Sequence, residues 1–209
     1  MVNYTQRFLK YLLGLRGAET GLTDAEMQYI AYLAVGKKCI VKLGVEEGVD
    51  SVVICQHMEP DTKLYLVDSF LRLVRLEKLF NISFAEYITK RTVKSYSNLI
   101  QFVKIHSLEA VEYLKLELQP DFIFINNSHQ YASVVEEFRY CASILSPQGI
   151  IAFPYSRTCK DKPGLNPKSG ALQLCNEIAR GEHGNWEIVN TFEWITVIAT
   201  NSNRQVLIQ

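Results

Sequence analysis

No C-x-x-C pair occurs in this sequence, and its five cysteines, Cys39, Cys55, Cys141, Cys159 and Cys175, leave an odd one over. That spacing argues against a zinc site and against a disulfide framework. Reduced, mostly buried thiols in a cytoplasmic protein are expected instead. Charge of one sign is also lacking: 22 Lys and Arg balance 22 Asp and Glu, and the basic residues form no sustained run. A dominant electrostatic grip on nucleic acid is therefore not expected. No apolar stretch is long enough to cross a bilayer, so no membrane partner is expected either. The opening MVNYTQRFLKYLLGLRG has charges breaking its apolar run and no small-residue cleavage pattern after it. It reads as an amphipathic helix rather than a signal peptide. Internal repeats and low-complexity segments are absent.

What is present fits one domain. A chain of 209 residues, 48% hydrophobic and 21% charged, is long enough for a full core and too apolar for disorder. After the first helix, Thr23-Asp24-Ala25-Glu26 has the capping-box pattern and opens a second helix to about Ala34, which Gly36 ends. Strands and helices then alternate. The expected strands are Cys39–Leu43, Leu64–Val67, Phe102–Ile105, Phe122–Ile125 and Ile150–Phe153. Helices are expected over Gly48–His57, Phe70–Phe80, Phe84–Ser95, Glu109–Leu118 and Ala132–Leu145.

Short apolar strands between amphipathic helices indicate a parallel sheet covered on both faces. The ending differs. A helix over Ser169–Arg180 leads into WEIVNTF and WITVIAT, which are so close that they must pair antiparallel. The expected fold is a doubly wound, Rossmann-like α/β sheet of seven strands, mostly parallel, closed by an antiparallel hairpin strand. One domain over 1–209 is expected, with a helical cap over 1–36 and an α/β core over 37–209. The cap reads equally as a cover for a substrate or as a homodimer contact. The long loop Cys159–Gly170 reads equally as a lid or a surface connection.

Two strand ends carry ligand chemistry. The first runs into Leu43-Gly44-Val45-Glu46-Glu47-Gly48-Val49-Asp50-Ser51. Glycine there lets backbone approach a ligand, and the next helix presents its amino-terminal N–H groups. Ordinary turn glycines are the alternative. The second strand ends at Asp68-Ser69-Phe70, about twenty residues on, where an acid can accept hydrogen bonds from a ribose diol. Asp68 could instead cap a helix, but the glycine turn favours the ribose role. A third stretch, DFIFINNSHQY, leaves an apolar strand into Asn126, Asn127, Ser128 and His129.

In order and spacing, VKLGVEEGVDS, KLYLVDSF, PDFIFINNSHQY and LSPQGIIAF resemble class I S-adenosylmethionine-dependent methyltransferases. More narrowly, they resemble the small methyltransferase family that reads V-E-I-G-x-x-x-G-x-S, V-x-x-I-D-x-F, I-F-I-D-G-D-H-x-Y and L-K-P-G-G-x-I-x-F-H-D. The match runs from about Cys39 to Phe153. The resemblance implies an S-adenosyl-L-methionine site at the carboxyl ends of the first, second and fourth strands. Gly44, Val45 and Gly48 would border the methionine part, with Glu46, Ser51 and Asn126 beside it. Asp68 would hold the ribose, and Ser69 and Phe70 would flank the adenine. His106, followed by Ser107, stands where an acid often contacts adenine.

Several family acids are replaced. Lys42 stands two residues before the first glycine, where an acid faces the methionine ammonium; its charge would oppose binding unless it points away or Glu46 or Glu47 compensates. D-G-D-H becomes Asn126-Asn127-Ser128-His129, and the later H-D becomes Pro154-Tyr155. Magnesium wants hard anionic oxygens, so no catalytic metal is expected. His129 is the remaining candidate base, with a helix-start histidine bonded to backbone as the slightly favoured alternative. Tyr131 and Tyr155 could line an acceptor pocket or simply pack. Glu136 and Glu137 read as a solvated helix face, and His57 and His183 have no assigned role. The expected function is metal-independent O-methyl transfer to a small-molecule acceptor. The alternative is a degenerate relative that binds a nucleoside-type ligand or a protein partner.

Overall fold

Strand alternation, acting on short apolar segments, determines which helices cover which face. The computed structural model describes residues 4–71, 74–105, 119–154 and 169–201. Its strands are β1 (Cys39–Leu43), β2 (Lys63–Val67), β3 (Ile100–Val103), β4 (Phe122–Ile125), β5 (Ile150–Phe153), β6 (Trp186–Phe192) and β7 (Ile195–Thr200). They form one sheet in the order β3-β2-β1-β4-β5-β7-β6. Pairing is parallel from β3 to β5, and β7 runs antiparallel to both β5 and β6. The expected seven-stranded architecture is the observed one.

The helices are α1 (Tyr4–Leu12), α2 (Asp24–Ala34), α3 (Val49–His57), α4 (Arg75–Phe80), α5 (Phe84–Thr92), α6 (Tyr131–Ile144) and α7 (Gly170–Ala179). Val41, Leu43, Ile123, Ile125, Ile151 and Phe153 share a buried cluster with Val134 and Phe138 of α6 and Leu174 and Ile178 of α7. Residues of opposite parity, Ile40, Phe122, Phe124, Ile150 and Ala152, pack with Ile30 and Ala34 of α2 and Ile54 of α3. A period of two thus sends alternate strand residues to opposite helical layers. At the start of α2, Glu26 N–H donates to Thr23 Oγ1 at 3.2 Å and Thr23 N–H donates to Glu26 Oε2 at 2.8 Å, a complete capping box.

Four local expectations are corrected. Helix α4 starts at Arg75 rather than Phe70, because the Asp68 carboxylate takes the Phe70 N–H at 2.8 Å and Phe70 adopts φ +45°. The helix expected over Phe84–Ser95 ends at Thr92, followed by one 3₁₀ turn over Lys94–Tyr96. Strand β3 lies two residues earlier than expected, since the β2 register pairs Leu64 with Ile100 and Val67 with Val103. Glu137 is buried at 2% exposure and accepts from Asn127 Nδ2 at 2.6 Å, whereas Glu136 is exposed as expected. The helix expected over Glu109–Leu118, most of the Cys159–Gly170 loop, and His106, Ser107, Tyr155 and Cys159 lie outside the described residues. Cys55, Cys141 and Cys175 are free and buried, and burial pushes the thiols of Cys55 and Cys175 up to about 12. Among the described residues, no helix is long and apolar enough to cross a membrane.

His183, given no role above, joins a cluster centred on Glu177. The carboxylate accepts from Tyr131 Oη at 2.7 Å and Gln173 Nε2 at 3.0 Å, and lies 2.9 Å from His183 Nε2. It thereby ties α6, α7 and the following turn together. Burial works to raise its pKa, but these partners hold it down, from 4.5 to about 2. A depressed carboxylate stabilises the fold above its unfolded pKa, and that contribution is lost as pH falls through the folded one. Thermal melts of the native protein are therefore expected to fall between pH about 4.5 and about 2, and Glu177→Gln to flatten that part of the profile. An unchanged profile in the variant would show that Glu177 is not the titrating group.

Candidate functional site

The carboxyl ends of β1, β2 and β4 meet at one edge of the sheet. Gly44 adopts φ +79°, and a Cβ added there would stand 2.2 Å from the backbone oxygen of Asn126. Only glycine permits so close an approach of the β1 and β4 ends. Asn126 N–H donates to Leu43 O at 2.8 Å, and Gly44 N–H donates to Val67 O at 2.9 Å, so the turn is tied to both neighbouring strands. Asp68 completes the join. Its Oδ2 accepts from Val45 N–H at 2.9 Å and its Oδ1 from Phe70 N–H at 2.8 Å. It is therefore a loop-to-loop clasp and not a helix cap, and each oxygen keeps a lone pair for a ligand donor. Glu46 and Phe70, on the two loops it joins, have φ +53° and +45°. Left-handed backbone at side-chain-bearing residues costs energy and clusters at ligand sites.

Lys42 is wholly buried, at 0% exposure. Strand alternation points it at α3, where its ammonium lies 3.0 Å from Asp50 Oδ2. The aligned hydrogen bond goes to Gly44 O at 2.6 Å, and the Asp50 contact is charge pairing without hydrogen-bond alignment. The Phe124 ring, from the paired β4 residue, lies 5.7 Å away. Of the two ways left open above, Lys42 takes the first: it points into the core, and its charge partner is Asp50 rather than Glu46 or Glu47. Asp50 was missed because it stands where the family pattern has serine, and only strand parity combined with helix phase reveals the pairing. Ser51 is buried behind it, its hydroxyl 3.4 Å from Asp50 Oδ1 and removed from the cleft.

Glu46 and Glu47 serve another contact. Arg16, 9% exposed, bonds Glu47, and Arg7 reaches Glu47 at 3.5 Å and Glu19 at 2.7 Å. Glu19 N–H donates to Glu47 at 2.8 Å and Gly21 N–H to Glu46 at 3.2 Å. The segment after α1 is thus strapped to the glycine turn, a role for Arg7 and Arg16 that carried no motif. Asn126 Nδ2 approaches Glu46 Oε1 at 3.4 Å. Gly48 lies under α5, where an added Cβ would meet Thr89 at 3.1 Å and Val93 at 3.2 Å.

Open volume lies beside the β2 end. A cavity of about 390 Å³ is lined by Ser69, Phe70, Leu71 and Lys104. Leu71 also borders a cavity of about 440 Å³ beneath α1, lined by Phe8, Phe84, Ile88, Glu46 and Glu47. On the β4 side, Asn126, Ser128, His129 and Phe153 enclose only about 10 Å³. His129 is exposed, and its backbone oxygen accepts from Gly170 N–H at 2.9 Å. Gly44, Val45, Glu46, Asp68, Phe70 and Asn126 therefore converge, Ser69 sits at the cavity wall, and His129 stands to one side.

A Rossmann-like sheet with a glycine turn at β1 and an acid at the tip of β2 defines the class of nucleotide-cofactor folds to which many transferases belong. The family model described as "Methyltransferase domain" matches residues 41–154, more than half of the chain, and the protein belongs to that family. No curated protein matches the sequence. Among solved structures, the chain is similar to an O-methyltransferase of Bacillus cereus in complex with SAH, at 11% identity and TM-score 0.66, covering 96% of this chain and 92% of that one. It is also similar to TomG of Streptomyces achromogenes, an O-methyltransferase of tomaymycin synthesis in complex with SAM (13% identity, TM-score 0.66, 96% and 90% covered). Cofactor-bound Rv0187 from MTB aligns at 9% identity and TM-score 0.69, with 94% and 89% covered.

Breaking the buried pair one partner at a time leaves an uncompensated interior charge. Asp50→Ala is expected to lower unfolding free energy by about 3–5 kcal/mol. Lys42→Met combined with Asp50→Leu should recover most of that loss in urea unfolding. A double variant no more stable than Asp50→Ala would mean that packing, not charge pairing, is what the site requires.

Proposed function

We propose that this protein is an S-adenosylmethionine-dependent O-methyltransferase acting on a small molecule without a catalytic metal. The observation that carries this reading is the Asp68 clasp: a carboxylate at the β2 tip, held by Val45 and Phe70 N–H groups, beside a cavity bounded by Ser69 and Phe70. Its remaining lone pairs suit a ribose diol, and the Phe70 loop suits a purine face. Gly44, Val45 and Asn126 complete the floor. The nucleoside end therefore fits the cofactor, whereas at the amino-acid end the position of the family's acid holds Lys42, buried against Asp50. When bound, S-adenosylmethionine would supply an activated methyl group on a sulfonium.

The chain's own residues would align the acceptor and accept its proton. His129 is the group we assign to that proton, because it is exposed at the β4 end on a loop fixed to α7. An imidazole is a side chain suited to general-base work near neutral pH. Donor chemistry supports the metal-free reading. Asn126 is turned to Glu46, Asn127 to Glu137, and Ser128 Oγ accepts from Gln130 N–H at 3.2 Å. Among the described residues, no three His, Cys, Asp or Glu side chains are grouped to hold an ion.

Calorimetric titration with S-adenosylhomocysteine tests the cofactor site. Micromolar binding, weakened at least tenfold in Asp68→Ala, is expected. Absence of binding at millimolar ligand would overturn this reading and leave the non-catalytic alternative. Once an acceptor is found, turnover should be unchanged by chelator and by added magnesium, and should fall by about 10²–10⁴ in His129→Ala if the imidazole takes the proton.

A further inference from the structure

We propose that the Lys42–Asp50 pair withdraws the amino-acid end of the cofactor from recognition, so that the site reads a neutral 5′-thioether adenosine nucleoside. This rests on the cofactor site proposed above. Four features of the glycine turn point the same way. First, the carbonyl of Gly44 already accepts from the buried Lys42 ammonium at 2.6 Å, so it is engaged before any ligand ammonium arrives. Second, the acidic side chains of residues 44–51 are engaged within the protein: Asp50 by Lys42, Glu46 by Gly21 and Asn126, and Glu47 by Arg16, Arg7 and Glu19. Among the described residues, Asp50 and Glu47 are thereby paired with cations, and both Glu46 oxygens face amide donors.

Third, an α-carboxylate fares no better. The amino terminus of α3 is covered at Gly48 by Thr89 and Val93, and its first turn carries the negative charge of Asp50. Fourth, the volumes are unequal. About 390 Å³ opens beside Ser69 and Phe70 and about 440 Å³ under α1 beside Glu46 and Glu47, whereas the crevice at Asn126, Ser128 and His129 holds about 10 Å³. A zwitterionic tail would have to leave water without gaining partners, and charged groups desolvated in that way weaken binding. A nucleoside lacking the tail avoids that cost and keeps the Asp68 and Phe70 contacts.

The probes are 5′-methylthioadenosine and S-adenosylhomocysteine, titrated calorimetrically into the native full chain. The two dissociation constants are expected to lie within tenfold of each other, a difference of no more than about 1.4 kcal/mol. Asp68→Ala should weaken both to the same degree. Tighter binding of S-adenosylhomocysteine by more than tenfold overturns this inference while leaving the cofactor site intact. Binding of neither ligand overturns both. In a folded Lys42→Glu, Asp50→Ser variant, the ratio should move at least tenfold toward S-adenosylhomocysteine; an unmoved ratio overturns the role of the pair. Should that variant fail to fold, the ratio in the native chain decides alone.

Discussion

A lysine side chain is buried on β1, an interior strand of the sheet, and much of the site follows from the need to neutralise it. Lys42 lies between residues that face the opposite helical layer, so parity alone directs it into the apolar space shared by α2 and α3. An ammonium there, with no exposed surface, requires a counter-charge on the nearest helix. Asp50 supplies it from the first turn of α3, where a carboxylate also suits the helix dipole. The same ammonium then binds the Gly44 carbonyl and holds the turn in place. One charge therefore fixes the phase of α3 and the direction of the glycine carbonyl.

The remaining order at the strand ends is imposed by backbone. Gly44 and Asn126 touch main chain to main chain, so the β1 and β4 ends close without side chains between them. Asp68 joins the β1 and β2 loops through two N–H groups and holds Phe70 in a left-handed conformation. Strain of that kind persists only where surrounding contacts over-determine it. Here the contacts are the clasp itself, the buried Val45 and Phe70 side chains, and the N-terminal strap through Glu46 and Glu47.

Much of the fold was legible because it rests on short-range pattern. The ranges of β1, β4 and β5 were read without error, since each is an apolar run bounded by turn residues. The antiparallel ending followed from loop length alone. β3 slipped by two residues because Leu99 to Ile105 offers several apolar starting points, and only pairing with β2 selects among them. The start of α4 depended on a side chain bonding backbone two residues on, a competition that helix periodicity does not register. In the site, Gly44 and Asp68 were legible from spacing. Asp50, Arg16 and Glu137 were not, because each acts through a partner distant in sequence or on a different element.

The β4 side obeys a different constraint. Gly170 packs so tightly on the Tyr131 backbone that an added Cβ would lie 2.6 Å from it, and its N–H holds the His129 carbonyl. Tyr131 is anchored in turn by Glu177 of α7. The loop bearing His129 is therefore fixed by main chain, while its imidazole stands exposed to water. On the proposed function, an imidazole so placed would pass its proton to solvent without rearrangement of the loop. The opposite end of the cleft is arranged in reverse: Lys42 and Asp50 are paired and sealed from water, and on the inference above they would determine which ligand groups find a partner. On the proposed function, proton exchange would belong to the wet β4 rim and selection to the dry turn at β1, with Asp68 and the Phe70 loop between them.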